Sequence, residues 1–203
     1  MTVSATLATM DMGVVDDSAL MLRYRDGDVR AFEILYARHK GPLYRYLQRL
    51  CRDQDVANDL FQEVWSKVIA SRERYEVRAQ FNTFLFRVAH NCAVDYFRRV
   101  GRQPAGALAD VAELEAVLPD SESERPDARF AAAEVKAEFK RALDGLPVEQ
   151  RDVFVLYEES GLSLEEIGKV TGVAMETAKS RLRYAVSKLR TALKHHQPAR
   201  AAQ

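Results

Sequence analysis

Ser163-Leu164-Glu165-Glu166-Ile167-Gly168-Lys169-Val170-Thr171-Gly172-Val173-Ala174-Met175-Glu176-Thr177-Ala178-Lys179-Ser180-Arg181-Leu182-Arg183-Tyr184 is the stretch from which the rest of the chain is best read. Ser163 with Glu166 three positions on makes a capping box, in which hydroxyl and carboxylate each satisfy an orphan amide, so a helix starts there. Ile167 and Val170 form its apolar side, and Thr171-Gly172-Val173 stops it, because glycine accepts the left-handed turn that a short connection needs. A longer helix follows from Ala174. Ala178, Leu182, Ala185, Leu189, Ala192 and Leu193 form one stripe at helical period, the side that packs. Lys179, Arg183, Arg190 and Lys194 run beside it, with Arg181 and Lys188 further round, against the single acid Glu176. A merely solvated face mixes both signs. This one is basic, with Thr177, Ser180 and Tyr184 among the cations, which is the composition of a helix that enters a DNA groove. Thr177 and the helix start are expected at phosphate, and Lys179, Ser180, Arg183 and Tyr184 towards base edges.

Working outward, 203 residues allow one medium domain or two small ones. Thirty basic and thirty acidic residues give a formal charge of zero, so attraction to a polyanion is local rather than global. Cys51 and Cys92 stand alone without metal-ligand spacing, which supports neither a zinc site nor a disulfide framework. They are expected as buried, reduced thiols. Met1 to Asp17 lacks the basic start and unbroken apolar core of a signal peptide, and no run approaches the ~18 apolar residues of a membrane span. A cytoplasmic protein with no membrane insertion is expected. No glycine-rich phosphate loop, metal cluster or nucleophile–base pair is legible, so neither catalysis, metal nor cofactor is expected.

The N-terminal half reads as all helix. Residues 1–18 are a mobile tail, and a first helix over Ala19–Arg25 closes at Asp26-Gly27-Asp28. Ala31, Phe32, Leu35 and Tyr36 repeat at helical spacing until Gly41-Pro42, where proline is expected to kink or restart the helix. Leu43, Tyr46, Leu47 and Leu50 carry the face on. Asp55 is placed to cap a helix through about Ile69, with Leu60, Val64, Trp65 and Val68 inward and Asp59, Gln62, Glu63 and Lys67 outward. A loop, Ser71 to Gln80, precedes a last helix over about Asn82–Arg99.

Residues 101–128 differ. They hold Gly101, Pro104, Gly106, Pro119 and Pro126, with acids from Asp110 to Asp127, and read as a flexible acidic linker between domains 19–100 and 129–195. Val111, Leu114, Val117 and Leu118 leave room for a short helix formed on a partner. Helical spacing resumes at Phe130, continues through Leu143 and Leu146, and stops at Gly145 and Pro147. A helix over Val148–Glu159 turns Val153, Phe154, Leu156 and Tyr157 inward. Residues 196–203 are a tail. The expected fold is all-α: two small helical domains on a flexible acidic linker, the second a helix-turn-helix.

A second surface precedes the linker. Phe84, Phe86, Tyr96 and Phe97 alternate with Arg87, Arg98 and Arg99, and the loop before them offers Arg72, Arg74, Tyr75, Arg78 and Phe81. Rings that stack on bases beside guanidinium groups that follow the backbone are what single-stranded nucleic acid binds. Phe84, Val88 and Cys92 are spaced as core, and about half of the aromatics are assigned to packing. Asn91 is a mid-helix polar group able to hold one base edge, including a base drawn from a duplex.

Asp59-Leu60-Phe61-Gln62-Glu63-Val64-Trp65, Phe81-Asn82-Thr83-Phe84-Leu85-Phe86-Arg87-Val88-Ala89-His90-Asn91 and Asp95-Tyr96-Phe97-Arg98-Arg99 together resemble the second conserved region of bacterial RNA polymerase sigma factors. Leu146-Pro147 and Ser163 to Leu182 resemble their fourth region, and the two joined by a bare linker resemble the extracytoplasmic-function group. The resemblance implies that Asp59, Gln62, Glu63 and Trp65 dock on the clamp of the largest subunit of core RNA polymerase. It implies that Tyr75, Arg78, Phe81, Asn82, Arg87, Asn91, Arg98 and Arg99 serve the minus-ten element, part of it single-stranded. Thr177, Lys179, Ser180, Arg181, Arg183 and Tyr184 would read the double-stranded minus-thirty-five element. An anti-sigma factor is the implied regulator. His90 departs mildly from the family pattern, where small or apolar residues are common. Two rivals stay open on the sequence: a sigma-like mimic that sequesters a regulator, and a two-domain repressor, which leaves the polar face of Asp59 to Trp65 without a task.

Overall fold

The computed structural model describes residues 15–101 and 126–194, and every regular element among them is helical. In chain order these are α1 (Asp17–Arg25), α2 (Val29–Cys51), α3 (Gln54–Ala70), a 3-10 turn (Arg72–Arg74), α4 (Phe81–Arg99), α5 (Pro126–Asp144), α6 (Val148–Ser160), α7 (Leu164–Thr171) and α8 (Met175–Ala192). Helix α1 starts inside the stretch expected as tail, because the Asp16 carboxylate accepts from the Ser18 and Ala19 amides. Helix α5 likewise begins at Pro126, within the expected linker. The remainder of that linker with its conditional helix at Val111 to Leu118, and the tails with His195 and His196, lie outside the described residues.

Two local expectations give way. Pro42 neither kinks nor restarts the chain: α2 runs 23 residues through it. A helix-interior proline costs roughly 3 kcal/mol. Against that, Leu35, Leu43, Tyr46, Leu47 and Leu50 are at most 2% exposed, and each such burial contributes about 1.5–3 kcal/mol. Burial wins. The cap of α3 is Asp53, not Asp55: its carboxylate accepts from the Asp55 and Val56 amides at 3.0 and 3.2 Å, which places Asp55 inside the first turn, where its charge suits the dipole.

Helices α1 to α4 close one body around Leu20, Leu35, Leu47, Val64 and Leu85, and α5 to α8 another around Leu143, Val153, Ile167, Ala178 and Ala185. These bodies touch. Helix α6 packs on α2 as well as on α8, and α7 packs on α4, so the buried residues form one continuous core. That explains α6, where Val153, Phe154, Val155 and Leu156 are buried in succession: a helix covered on two sides is apolar most of the way round. Val155 therefore faces inward, and Tyr157, expected inward, lies on the uncovered side at 46% exposure.

Candidate nucleic-acid interface

The helix-turn-helix is built as its residues dictate. The Ser163 hydroxyl accepts from the Glu166 amide at 3.3 Å while the Glu166 carboxylate accepts from the Ser163 amide at 2.9 Å. The Ser163 hydroxyl also donates to that carboxylate at 2.7 Å, and this bond first, with the one from the Ser163 amide, holds the Glu166 carboxyl below the usual range. Gly172 takes the left-handed cap at φ 71°. Gly168 is needed for space instead: a Cβ there would lie 2.8 Å from the Val173 carbonyl oxygen, so the turn crosses α7 where only a hydrogen fits. The close crossing sets the angle between α7 and α8.

Ala178, Ala185 and Leu189 bury the inner side of α8, with Leu182 partly covered. Thr177, Lys179, Arg183 and Tyr184 are exposed on the outer side, and Ser180 and Arg181 flank them half-buried. The Arg183 guanidinium lies 5.3 Å from the Tyr184 ring centroid, and Lys179 Nζ is a loose 3.6 Å from Glu176. All six residues are thus available on one exposed helix, the geometry a major groove admits.

On α3, Asp59 and Gln62 are exposed and Glu63 pairs with Lys67 at 2.8 Å. Trp65 is not on that surface. It is 5% exposed, its ring 4.9 Å from Tyr36 and 5.7 Å from Phe32, because a large apolar ring gains more in an aromatic core than beside a polar face. Tyr75 and Phe81 are also in the core, 5% and 1% exposed, each ring against Phe84. Both rings thus pack against the first turn of α4. Arg78, Arg87, Asn91, Arg98 and Arg99 do reach solvent, Arg78 paired with Glu76 and Arg98 with Asp95. The Asn82 amide donates to the Ser160 carbonyl of the second body.

Sequence reading missed the residues between the bodies. The Asp152 carboxylate, on α6, accepts from the Tyr46 hydroxyl at 2.8 Å, and His90 Nδ1 approaches its other oxygen at 2.9 Å without the alignment of a hydrogen bond. Glu159 is held by Arg45 and Arg49, each at 2.6 Å. Thr83 donates to Glu166 at 3.0 Å. The run Arg151-Asp152-Val153-Phe154-Val155-Leu156, charged residues entering a solid apolar block, was the available signal.

A two-body helical protein with a basic, outward helix-turn-helix and a second face of arginines and Asn91 is a DNA-binding transcription factor by construction. Residues 35–103 match sigma-70 region 2 and residues 142–191 match sigma-70 region 4. The RNA polymerase sigma factor CarQ of Myxococcus xanthus is 33% identical over 174 residues, which cover 85% of this chain and 95% of CarQ. The ECF RNA polymerase sigma-E factor of Escherichia coli (strain K12) is 28% identical over 169 residues, 82% of this chain and 88% of its own. The same fold occurs in the sigma factor RpoE in complex with the anti-sigma factor NepR from Bartonella quintana, with TM-score 0.65 and 24% identity, covering 82% of this chain and 98% of that one. CnrH in complex with the cytosolic domain of CnrY gives TM-score 0.63 and 23% identity, covering 89% and 99%. The chain belongs to the extracytoplasmic-function sigma factors of RNA polymerase.

Proposed function

We propose a division of labour within this sigma factor, in which each face takes one partner. Asp59, Gln62 and Glu63 on α3 meet the clamp of core RNA polymerase, with Trp65 setting the pitch of that face from below. Arg78, Arg87, Asn91, Arg98 and Arg99 follow the minus-ten element, Asn82 joins them once its amide is released, and Tyr75 and Phe81 hold α4 in place from the core. Thr177, Lys179, Ser180, Arg181, Arg183 and Tyr184 read the minus-thirty-five element. The observation that carries this reading is α8, whose Ala178 and Ala185 are buried while Lys179, Arg183 and Tyr184 stand exposed.

The protein lends specificity and carries no reaction of its own. Among the described residues no group of acids, histidines and cysteines could hold a metal ion, and no helix is long and apolar enough to cross a membrane. It works in the cytoplasm, where polymerase and promoter are. Its regulator is an anti-sigma protein, a reading supported by the complex of the sigma factor RpoE with the anti-sigma factor NepR. Run-off transcription with purified core polymerase on genomic promoters tests the proposal. Defined start sites that depend on this chain are expected, and association with core polymerase without any directed start overturns it.

A further inference from the structure

We propose that α1, which lies ahead of the stretch matched as sigma-70 region 2, positions the minus-ten face, with Ser18 as the positioning residue. It fixes the first turn of α4 and both ends of the loop that carries Arg78. Helix α4 starts without a cap of its own, because the Gln80 side chain bonds no amide of the first turn. The Phe81 amide is an orphan donor at that end. The Ser18 hydroxyl of α1 accepts from it at 3.3 Å, across 63 positions of sequence. Ser18 is 6% exposed, on a helix that also buries Leu20, Met21 and Tyr24. Alanine would pack there as well, so what the hydroxyl adds is this bond. Burial raises the Tyr75 hydroxyl above the ordinary phenol range, and Ser18 draws it part of the way back.

The loop is held at its other end too. The Arg72 guanidinium lies 5.8 Å from the Tyr24 ring centroid, where the 3-10 turn begins the connection to α4. Ser18 and Tyr24 are six positions apart on one helix, roughly 9 Å at 1.5 Å per residue. One rigid rod therefore grips both ends of the loop and leaves Val77 and Arg78 exposed between them. The rod is itself tied to α2. Arg38 donates to Asp17 at 2.6 Å and to the Val15 carbonyl at 2.7 Å. His39 Nε2 meets the other Asp17 oxygen at 2.7 Å, and its ring lies 5.3 Å from that of Phe81. A helix is stiff, so a shift at Phe81 carries Arg87 and Asn91 with it. The inference rests on the minus-ten face proposed above.

The test uses the full chain with core polymerase on a promoter mapped by run-off, with a fluorescent base analogue in the minus-ten duplex reporting its opening. Ser18→Ala should slow opening between about twofold and tenfold, the worth of one hydrogen bond. Exchange of the Phe81 amide should quicken by a similar factor. Affinity for core polymerase and for minus-thirty-five duplex, which a general loss of stability would lower, should stay at parent values. Arg38→Ala, which loosens α1 from the surface, should slow opening in the same direction. Adding Ser18→Ala to Asn91→Ala should slow opening by less than the product of the separate effects, as expected of a residue acting through α4. Fully independent effects, or an equal loss of core-polymerase affinity, overturn the proposal. A parent that directs no start site would sink the minus-ten reading itself, whereas a parent that opens its promoter no faster than Ser18→Ala would sink only the role of α1.

Discussion

The Tyr46 hydroxyl donates to the Asp152 carboxylate at 2.8 Å, joining α2 to α6 across 106 positions of sequence. Burial first, and the Asp152 charge second, push Tyr46 well above the ordinary phenol range, so it remains a donor at any working pH. Tyr46→Phe keeps the ring on Phe86, 5.5 Å away, and removes only the donor. A buried carboxylate that loses a hydrogen bond costs about 1–3 kcal/mol. Urea unfolding should report a loss of that size, and an unchanged midpoint would mean that Asp152 is solvated.

Gly168→Ala puts a methyl carbon against the backbone of Val173, and a carbonyl held by its neighbours cannot swing away. Overpacking of this kind costs about 1–3 kcal/mol. Thermal melting should drop by several degrees, and affinity for minus-thirty-five duplex should fall with it, since α8 loses its angle. A variant that melts and binds as the parent does would refute the close crossing.

Burial pushes the Cys51 thiol up to about 12 and raises Cys92 as well. Both are therefore protonated, shielded and slow nucleophiles. Iodoacetamide at pH 8 should leave the folded chain nearly unmodified and alkylate both thiols in urea. Rapid native labelling at either position would show that the core opens there.

Glu166 bridges two roles, capping α7 and accepting from Thr83 on α4. Ser163 holds its carboxyl below the usual range, so the folded state favours the ionised form. That contribution is present above the unfolded value of about 4.3 and is lost as pH falls through the lower folded value. Acidification below about pH 4 should therefore loosen α7 and the α4–α7 contact in the parent more than in Glu166→Gln. Hydrogen exchange of the α7 amides measures it, and equal acid sensitivity in both would exclude the cap as the cause.

Arg183→Ala and Gln62→Ala separate the two proposed faces. The first should abolish promoter selection with normal affinity for core polymerase. The second should weaken holoenzyme assembly and spare duplex binding by the fourth-region body. Losing one base-edge contact of this kind should cost about 1–3 kcal/mol of discrimination between duplex sequences. Equal damage to both activities by either change would show that the faces are not separate.

What the sequence by itself determined lies within one turn or one helix. Ser163 and Glu166 define a cap because both partners are three residues apart, and the alanine stripe of α8 defines its inner side because helical period is local. The same locality made Asp59, Gln62 and the cations of α8 legible as surface. Where a residue's fate depended on what covered it, pattern was insufficient. Tyr75 and Phe81 suit an aromatic core and a nucleic-acid face equally well until their neighbours are known, and the ring of Phe84 decided for the core, whereas helical spacing already turned Trp65 inward. Pro42 broke a local rule that the burial of α2 outweighed. The joining of the two bodies was tertiary altogether: Tyr46 with Asp152, and Arg45 with Glu159, are about a hundred positions apart, and nothing in either segment names the other. Helical period is set by backbone hydrogen bonds four residues apart, whereas the pairing of distant charges is set by the shape of the whole packed chain.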